Sequence, residues 1–364
     1  MFVNKAEEYG MSQEIRIGIV GLGFMGMTHF EAAKRLRGAK VTAIATRDPK
    51  KRAGDWSSIQ GNFGPRGSSA TDLTGIKTYA SAEELWHDPE IDLVDICLPT
   101  DQHEATVLAA LQSGKDVLVE KPIAVEQAAA ERMVAAAGEY DRMLLVGHVL
   151  PFFPEFAFAV EAVKSGRYGK LLGAFFRRVI CPPDWSADMS DFRKLGGWGI
   201  DLHIHDNHLI RLLCGQPQRV FSRGMLAEGF VNHVATQYVF DEPLPSVTAI
   251  SGGIAAGALK FAHSFELILE KATIQFDAGT YGSEWVVNRP LTVLTADEVQ
   301  RPTLNAGTEW CAAFTDELQA AVESIRNRVP SPMLSSAAAR DALAICYAEA
   351  ESIASGREAV VVQG

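Results

Sequence analysis

Glu14-Ile15-Arg16-Ile17-Gly18-Ile19-Val20-Gly21-Leu22-Gly23-Phe24-Met25-Gly26 is the stretch on which the fold turns. Its first half alternates and then runs apolar, as a buried strand does. Three glycines follow at once in the spacing G-x-G-x-x-G, and Met27 to Leu36 reads as a helix. In strand–turn–helix context each glycine has its own reason. Gly21 permits the tight turn. Gly23 lets a diphosphate approach the backbone, and Gly26 lets the helix pack closely. The free N–H groups of the helix start, Phe24 and Met25 among them, suit an anion. A glycine-rich connection with no ligand is the bland alternative, and the flanking strand and helix argue against it.

Outward from the motif, Lys40 to Ala45 is a second strand. An acidic residue about twenty positions past the glycines would hold a ribose 2′-hydroxyl. Thr46 and Arg47 stand there instead, with Lys51 and Arg52 near, while Asp48 precedes Pro49 and shapes the turn. A hydroxyl and a guanidinium suit a 2′-phosphate, so the pattern favours NADP(H) and leaves NAD(H) open. Asp55 to Ile76 is a long Gly/Ser-rich connection: either a flap over the adenosine end of a cofactor or a surface insertion. Asp92 to Leu98 is a further strand, and Leu98, Pro99, Thr100 and His103 at its end are candidate cofactor contacts.

Val117-Leu118-Val119-Glu120-Lys121-Pro122 repeats the logic. A buried parallel strand ends in a lysine, at the edge where open α/β sheets bind ligands. Glu120 and Lys121 complete the cofactor-binding candidates. Gln127 to Tyr140 is a helix and Met143 to Val146 a strand. It ends at His148, which lines the pocket or packs in the core. The alternation to residue 149 predicts a doubly wound parallel sheet over 13–149. From 150 to 364 strand-like runs dominate, predicting a mostly antiparallel open sheet in an α+β domain. The helix at about 335–355 is expected to return to the first domain.

Gly196-Gly197-Trp198-Gly199-Ile200-Asp201-Leu202-His203-Ile204-His205 reads as a helix whose Asp201 and His205 share a face, with His208 beside them. A base, an orienting carboxylate and a lysine are what alcohol oxidation needs: hydride leaves the carbon, and a proton must leave the oxygen. Asp201, His205 and His208 could instead hold a metal; we expect none. Satisfied core histidines are the plain reading for His203 and His208. Trp185, Asp188 and Arg193 contact a sugar or form a surface loop. Cys97 is a small core residue rather than a nucleophile.

The chain has 364 residues, enough for about two domains, and a formal net charge of −11. That charge argues against nucleic acid and anionic membrane as partners. Its 5 cysteines are scattered, as in a reduced cytoplasmic protein. Met1 to Gln13 is polar and unlike a signal peptide, and no apolar run is long enough to span a bilayer.

Together Gly21–Gly26, Glu120-Lys121-Pro122 and Asp201-Leu202-His203-Ile204-His205 resemble the glucose–fructose oxidoreductase, inositol dehydrogenase and rhizopine-catabolism family (Gfo/Idh/MocA). The resemblance runs from about Ile15 to the C-terminus. It implies a Rossmann domain, NAD(P) as hydride carrier and a second domain whose open sheet supports a homo-oligomer, dimer or tetramer. It also implies Lys121, Asp201 and His205 as the catalytic set, a cis Lys121–Pro122 bond, and a sugar, cyclitol or related polyol as substrate, contacted by His148, Trp185, His205 and Lys121. Pro151, where many relatives carry arginine, and His208, where aspartate is frequent, depart from the pattern. Two other functions fit the resemblance: a non-catalytic NAD(P)-binding regulator, and a redox-neutral lyase or glycosidase that uses the nicotinamide transiently.

Overall fold

The computed structural model describes residues 14–61, 63–182, 191–241, 245–304, 307 and 309–362. The chain divides into two compact units, 1–152 with 307–339, and 153–306 with 340–364.

The first unit holds β1 (Ile15–Val20), α1 (Phe24–Ala33), β2 (Ala39–Ala45), α2 (Pro49–Arg52), β3 (Lys77–Tyr79), α3 (Ala82–Trp86), β4 (Leu93–Ile96), α4 (His103–Gln112), β5 (Asp116–Glu120), α5 (Gln127–Glu139) and β6 (Leu144–Gly147). All its strands pair in parallel in the order β3-β2-β1-β4-β5-β6. Residues of β4, β5 and β6 are buried throughout, so their apolar runs lack alternation. The chain order reverses between β1 and β4, which opens a crevice at their carboxyl ends. Gly21 and Cys97 flank it: Gly21 N–H donates to Ala45 O at 3.0 Å and Cys97 N–H to Val20 O at 2.8 Å.

In the second unit α6 (Pro154–Lys164) is followed by β7 (Leu171–Ile180), α7 (Phe192–Leu195), α8 (Gly197–Asp201), α9 (Ile204–Cys214), β8 (Arg219–Ala227), β9 (Phe230–Val239), β10 (Ser246–Gly253), β11 (Leu259–Leu269), β12 (Thr273–Tyr281), β13 (Glu284–Leu294) and β14 (Val299–Gln300). After α10 (Ala312–Asn327) come α11 (Ser336–Ser355) and β15 (Ala359–Val360). One sheet of nine strands runs β14-β13-β12-β11-β7-β10-β9-β8-β15, antiparallel at every pairing except β7–β10. Phe156 of α6 anchors one face, its ring against His263, Phe265 and Phe276. The other face leaves Leu172, Phe175 and Ile268 exposed.

Two expectations are corrected, and the C-terminal helices are sorted between the units. Two C-terminal segments join the first unit: the start of the 335–355 helix, where Val146 N–H donates to Leu334 O at 2.9 Å and Ser335 bridges Leu145, and α10. Phe314, Leu318, Ala321, Val322 and Ile325 form an apolar stripe at helical spacing, and Thr315 Oγ1 donates to Ala32 O of α1 at 3.2 Å. From Arg340 onward α11 belongs to the second unit, where Asp341 and Glu349 find their partners. The helix expected to carry both Asp201 and His205 is broken: His203 N–H bonds back to Trp198 O, and His205 N–H to Leu202 O. β13 escaped the sequence reading because its first seven residues are exposed on both faces and show no apolar alternation. The first helix also starts earlier than expected, at Phe24.

Candidate active site

The glycine turn behaves as three different steric problems. Gly21 has φ +94°, and a Cβ there would lie 2.7 Å from Cys97 O. At Gly26 a Cβ would come within 2.0 Å of Gly21 O, so the helix can seat on the turn only without a side chain. At Gly23 a Cβ would meet nothing within 4 Å. That open space lies at the N-terminus of α1, which has no side-chain cap and no acidic residue in its first turn. An uncapped helix start beside a bare backbone position fits a diphosphate.

Around it, Lys51 of α2 reaches back and donates from Nζ to Leu22 O at 2.8 Å. Arg52 donates to Thr46 O at 2.6 Å, and Asp48 caps α2 by accepting from the Lys50 and Lys51 N–H groups. Thr46 is half-buried and Arg47 exposed at the end of β2. The connection at 55–76 is docked. Trp56 is buried edge-on to Phe30, and Phe63 packs edge-on against Phe24 and stacked on Phe314 of α10.

At the end of β4, Thr100 is buried, and His103 is buried with its two ring nitrogens each 2.9 Å from a carbonyl, Leu98 O and Pro122 O. Burial lowers its pKa against the pull of those carbonyls. His103 thus ties the loop Leu98-Pro99-Thr100 to the Lys121–Pro122 segment rather than presenting its ring to a ligand. Lys121 is half-buried at the carboxyl end of β5, and Lys121–Pro122 is cis. Glu120 does not face outward: it is buried, and Oε2 accepts from the Lys121 backbone N–H at 3.0 Å. His148 is fully buried beyond β6, and Pro151 is buried as well.

Sequence reasoning missed the residues beneath this turn. His29 of α1 lies with Nδ1 2.9 Å from Asp95 Oδ2 and Nε2 3.0 Å from Glu120 Oε1. Cys97 Sγ is 3.5 Å from His29 Nδ1, and Glu317 of α10 is 3.9 Å from Nε2. Burial opposes the imidazolium, yet the Asp95 carboxylate and its neighbours raise the His29 pKa well above the ordinary value. Burial and the adjacent Glu120 raise Glu317 well above the carboxylate range. Burial likewise raises the Cys97 thiol, which makes it an inert core group. Ligand atoms of His29, Asp95 and Cys97 lie within 4.8 Å of one another, but the Nδ1–Oδ2 distance is that of a hydrogen bond.

In the second unit the glycine cluster has a packing reason. A Cβ at Gly197 would lie 2.8 Å from Val231 O, and one at Gly199 2.7 Å from Val231 Cβ, so α8 sits tight on β9. Trp198 is buried, with Ile180 and Leu202, as the core of that contact. Asp201 and His205 are half-buried, whereas His203, Asp206, Asn207 and His208 between and beyond them are buried. Those buried neighbours lock α9. Asp206 takes a bidentate contact from Arg178 at 3.0–3.1 Å. His203 Nε2 lies 3.0 Å from Glu349 Oε1 of α11, and Asn207 donates to Glu349 Oε2 at 2.9 Å. Tyr238 OH and Thr236 Oγ1 also donate to Glu349. Burial works against a charged His203, but Glu349 and Asp206 hold its pKa at about 9. His208 is the opposite case: burial pushes it down to about 3, so it is neutral. Trp185 and Asp188 lie outside the described residues.

The fold defines a protein with a Rossmann-type parallel-sheet unit and a second unit built on a mostly antiparallel sheet. Residues 15–148 match the GFO_IDH_MocA family model, an oxidoreductase family with NAD-binding Rossmann fold. The chain is 30% identical over 215 residues to a myo-inositol 2-dehydrogenase of Thermotoga maritima, covering 58% of each chain. It is 31% identical over 208 residues to the rhizopine catabolism protein MocA of Rhizobium meliloti, covering 57% of this chain and 59% of that one. The matched stretches thus span less than two thirds of both relatives. A scyllo-inositol dehydrogenase of Lactobacillus casei, solved with NAD(H) and scyllo-inositol, shares the fold: TM-score 0.71, 22% identity, covering 96% of this chain and 99% of that one. No helix among the described residues is long and apolar enough to cross a membrane.

Proposed function

We propose that the protein is an NAD(P)-dependent oxidoreductase that moves a hydride between the nicotinamide and a hydroxyl or carbonyl carbon of a sugar, cyclitol or related polyol. The observation that carries this reading is the pairing, in one unit, of an open anion seat at Gly23 with a lysine at the end of β5 beside the same crevice. The substrates of the relatives, inositols, support the polyol class. The cofactor, when bound, supplies the hydride acceptor. The chain's residues supply the proton chemistry. His205 takes the hydroxyl proton or returns it, Asp201 orients that imidazole, and Lys121 polarises the oxygen or relays the proton.

NADP(H) is the preferred form, because the end of β2 offers Thr46 and the exposed Arg47 while Asp48 is spent on capping α2. A homo-oligomer is proposed through the sheet face that exposes Leu172, Phe175 and Ile268. The deciding experiment is fluorescence titration with NADH and NADPH, then a polyol screen with the tighter cofactor. Lys121→Met should bind cofactor as wild type and turn nothing over. Wild-type turnover in that variant removes Lys121 from the reaction.

A further inference from the structure

The cluster beneath the glycine turn is not needed for either cofactor binding or proton transfer as derived above, yet it gathers ionisable groups from four elements: His29 on α1, Asp95 in β4, Glu120 at the end of β5 and Glu317 on α10. His29, Asp95 and Glu317 are fully buried and Glu120 nearly so. Three carboxylates here face one imidazole and one thiol. Such a group is stable only with protons shared so that few net charges remain. A neutral imidazole has one N–H and would set a lone pair against one of the two carboxylates at 2.9 and 3.0 Å. The imidazolium hydrogen-bonds Asp95 through Nδ1 and faces Glu120 as an ion pair at 3.0 Å without hydrogen-bond alignment. Glu317, whose two oxygens have no hydrogen-bond partner in the structure, is the carboxyl that stays protonated.

Glu120 links this cluster to the surface. Oε1 meets the His29 ring, and Oε2 holds the backbone N–H of Lys121. We propose that His29 is a positioning residue for Lys121: as an imidazolium clamped between Asp95 and Glu120, it fixes the carboxylate that sets the Lys121 backbone. Asp95 is the anchor that keeps the ring charged, and Glu317 is a neutral bystander. The importance of the clamp for turnover rests on the catalytic reading of Lys121; the clamp itself does not.

Two measurements on the full chain test it. Nitrogen-15 NMR of histidine-labelled protein should show one imidazole with both nitrogens protonated at pH 7.5 that is lost in His29→Phe. Hydrogen exchange should give a Lys121 amide whose protection falls about tenfold or more in His29→Phe, while Leu118 and Val119 keep theirs. In Asp95→Asn the protection should fall as in His29→Phe, at pH 6 as at pH 8.5, because burial leaves the ring neutral once the charge that held it protonated is gone; in Glu317→Gln it should not change. A neutral His29 in the wild-type spectrum at pH 7.5 overturns the proposal, whether or not a variant folds. So does unchanged Lys121 protection in His29→Phe and Asp95→Asn. Failure of the catalytic reading shows separately, as turnover by Lys121→Met.

Discussion

The glycine turn allows one experiment in which stability and binding should separate residue by residue. Replace Gly21, Gly23 and Gly26 by alanine in turn. At Gly26 the new methyl would sit 2.0 Å from Gly21 O, where ordinary contact begins near 3.4 Å, so helix and turn must part by more than an ångström. Overpacking of this kind costs about 1–3 kcal/mol. At Gly21 the left-handed φ of +94° adds roughly 1–2 kcal/mol to an overlap with Cys97 O at 2.7 Å. At Gly23 φ is −94° and ψ −157°, which alanine adopts freely, and no atom lies within 4 Å. Gly23→Ala should therefore hold its stability within about 0.5 kcal/mol of wild type. Its methyl would nonetheless stand where the diphosphate must approach, so NAD(P)H affinity should fall at least about tenfold, or ~1.4 kcal/mol. Chemical denaturation and fluorescence titration read the two quantities. Wild-type affinity in Gly23→Ala would remove the diphosphate from that seat; a stable Gly26→Ala would refute the packing argument.

Other outcomes follow from the same geometry. Glu317→Gln should stabilise the protein by ~1–3 kcal/mol at pH 7, because the wild type must protonate a carboxyl that the unfolded chain leaves ionised; that contribution is full in acid and lost as pH rises past 4.5. Equal stability of the two proteins in urea at pH 7 refutes it. His203, held at about 9 against 6.5, contributes roughly 3 kcal/mol below pH 6.5, and the contribution should fade as pH rises through 9. His208 and His263, both near 3, act with the opposite sign and only in acid; above pH 6.5 His203 and His29 act together with Glu317 and, at the alkaline end, with the raised thiols of Cys97, Cys214 and Cys346. Glu349→Gln should flatten the alkaline limb in denaturation measured from pH 6 to 9.5; an unaltered slope contradicts the buried pair. Arg47→Asp should reverse the cofactor preference toward NADH, read as the ratio of the two dissociation constants, which would stay fixed if Arg47 were only a solvated charge.

Much of the fold around the candidate site was legible in the chain. The strand at Ile15, the glycine spacing and the apolar run ending at Lys121 announce themselves by period and by local steric rule. Asp48 was rightly read as a turn residue: it caps α2. Other readings failed for reasons that period cannot carry. A run that looks helical from Gly197 onward contains a break at Leu202 and His203, forced by the burial of Trp198 and Leu202 on the sheet and by the partners of His203. Two amphipathic C-terminal helices look alike in sequence, and only packing shows that α10 lies along α1 while α11 passes from the first unit to the second at Arg340.

The sequence by itself determined the parallel sheet, the glycine turn at the head of α1 and the lysine at a strand's end, because each rests on neighbours a few residues apart whose backbone and side-chain preferences are local. The tertiary structure alone decided which charges meet. His29 finds Asp95 across 66 residues and His203 finds Glu349 across 146. No spacing rule encodes such pairs; they exist because packing the apolar faces leaves these polar groups no water, and buried charge must be shared with whatever partner the fold brings near.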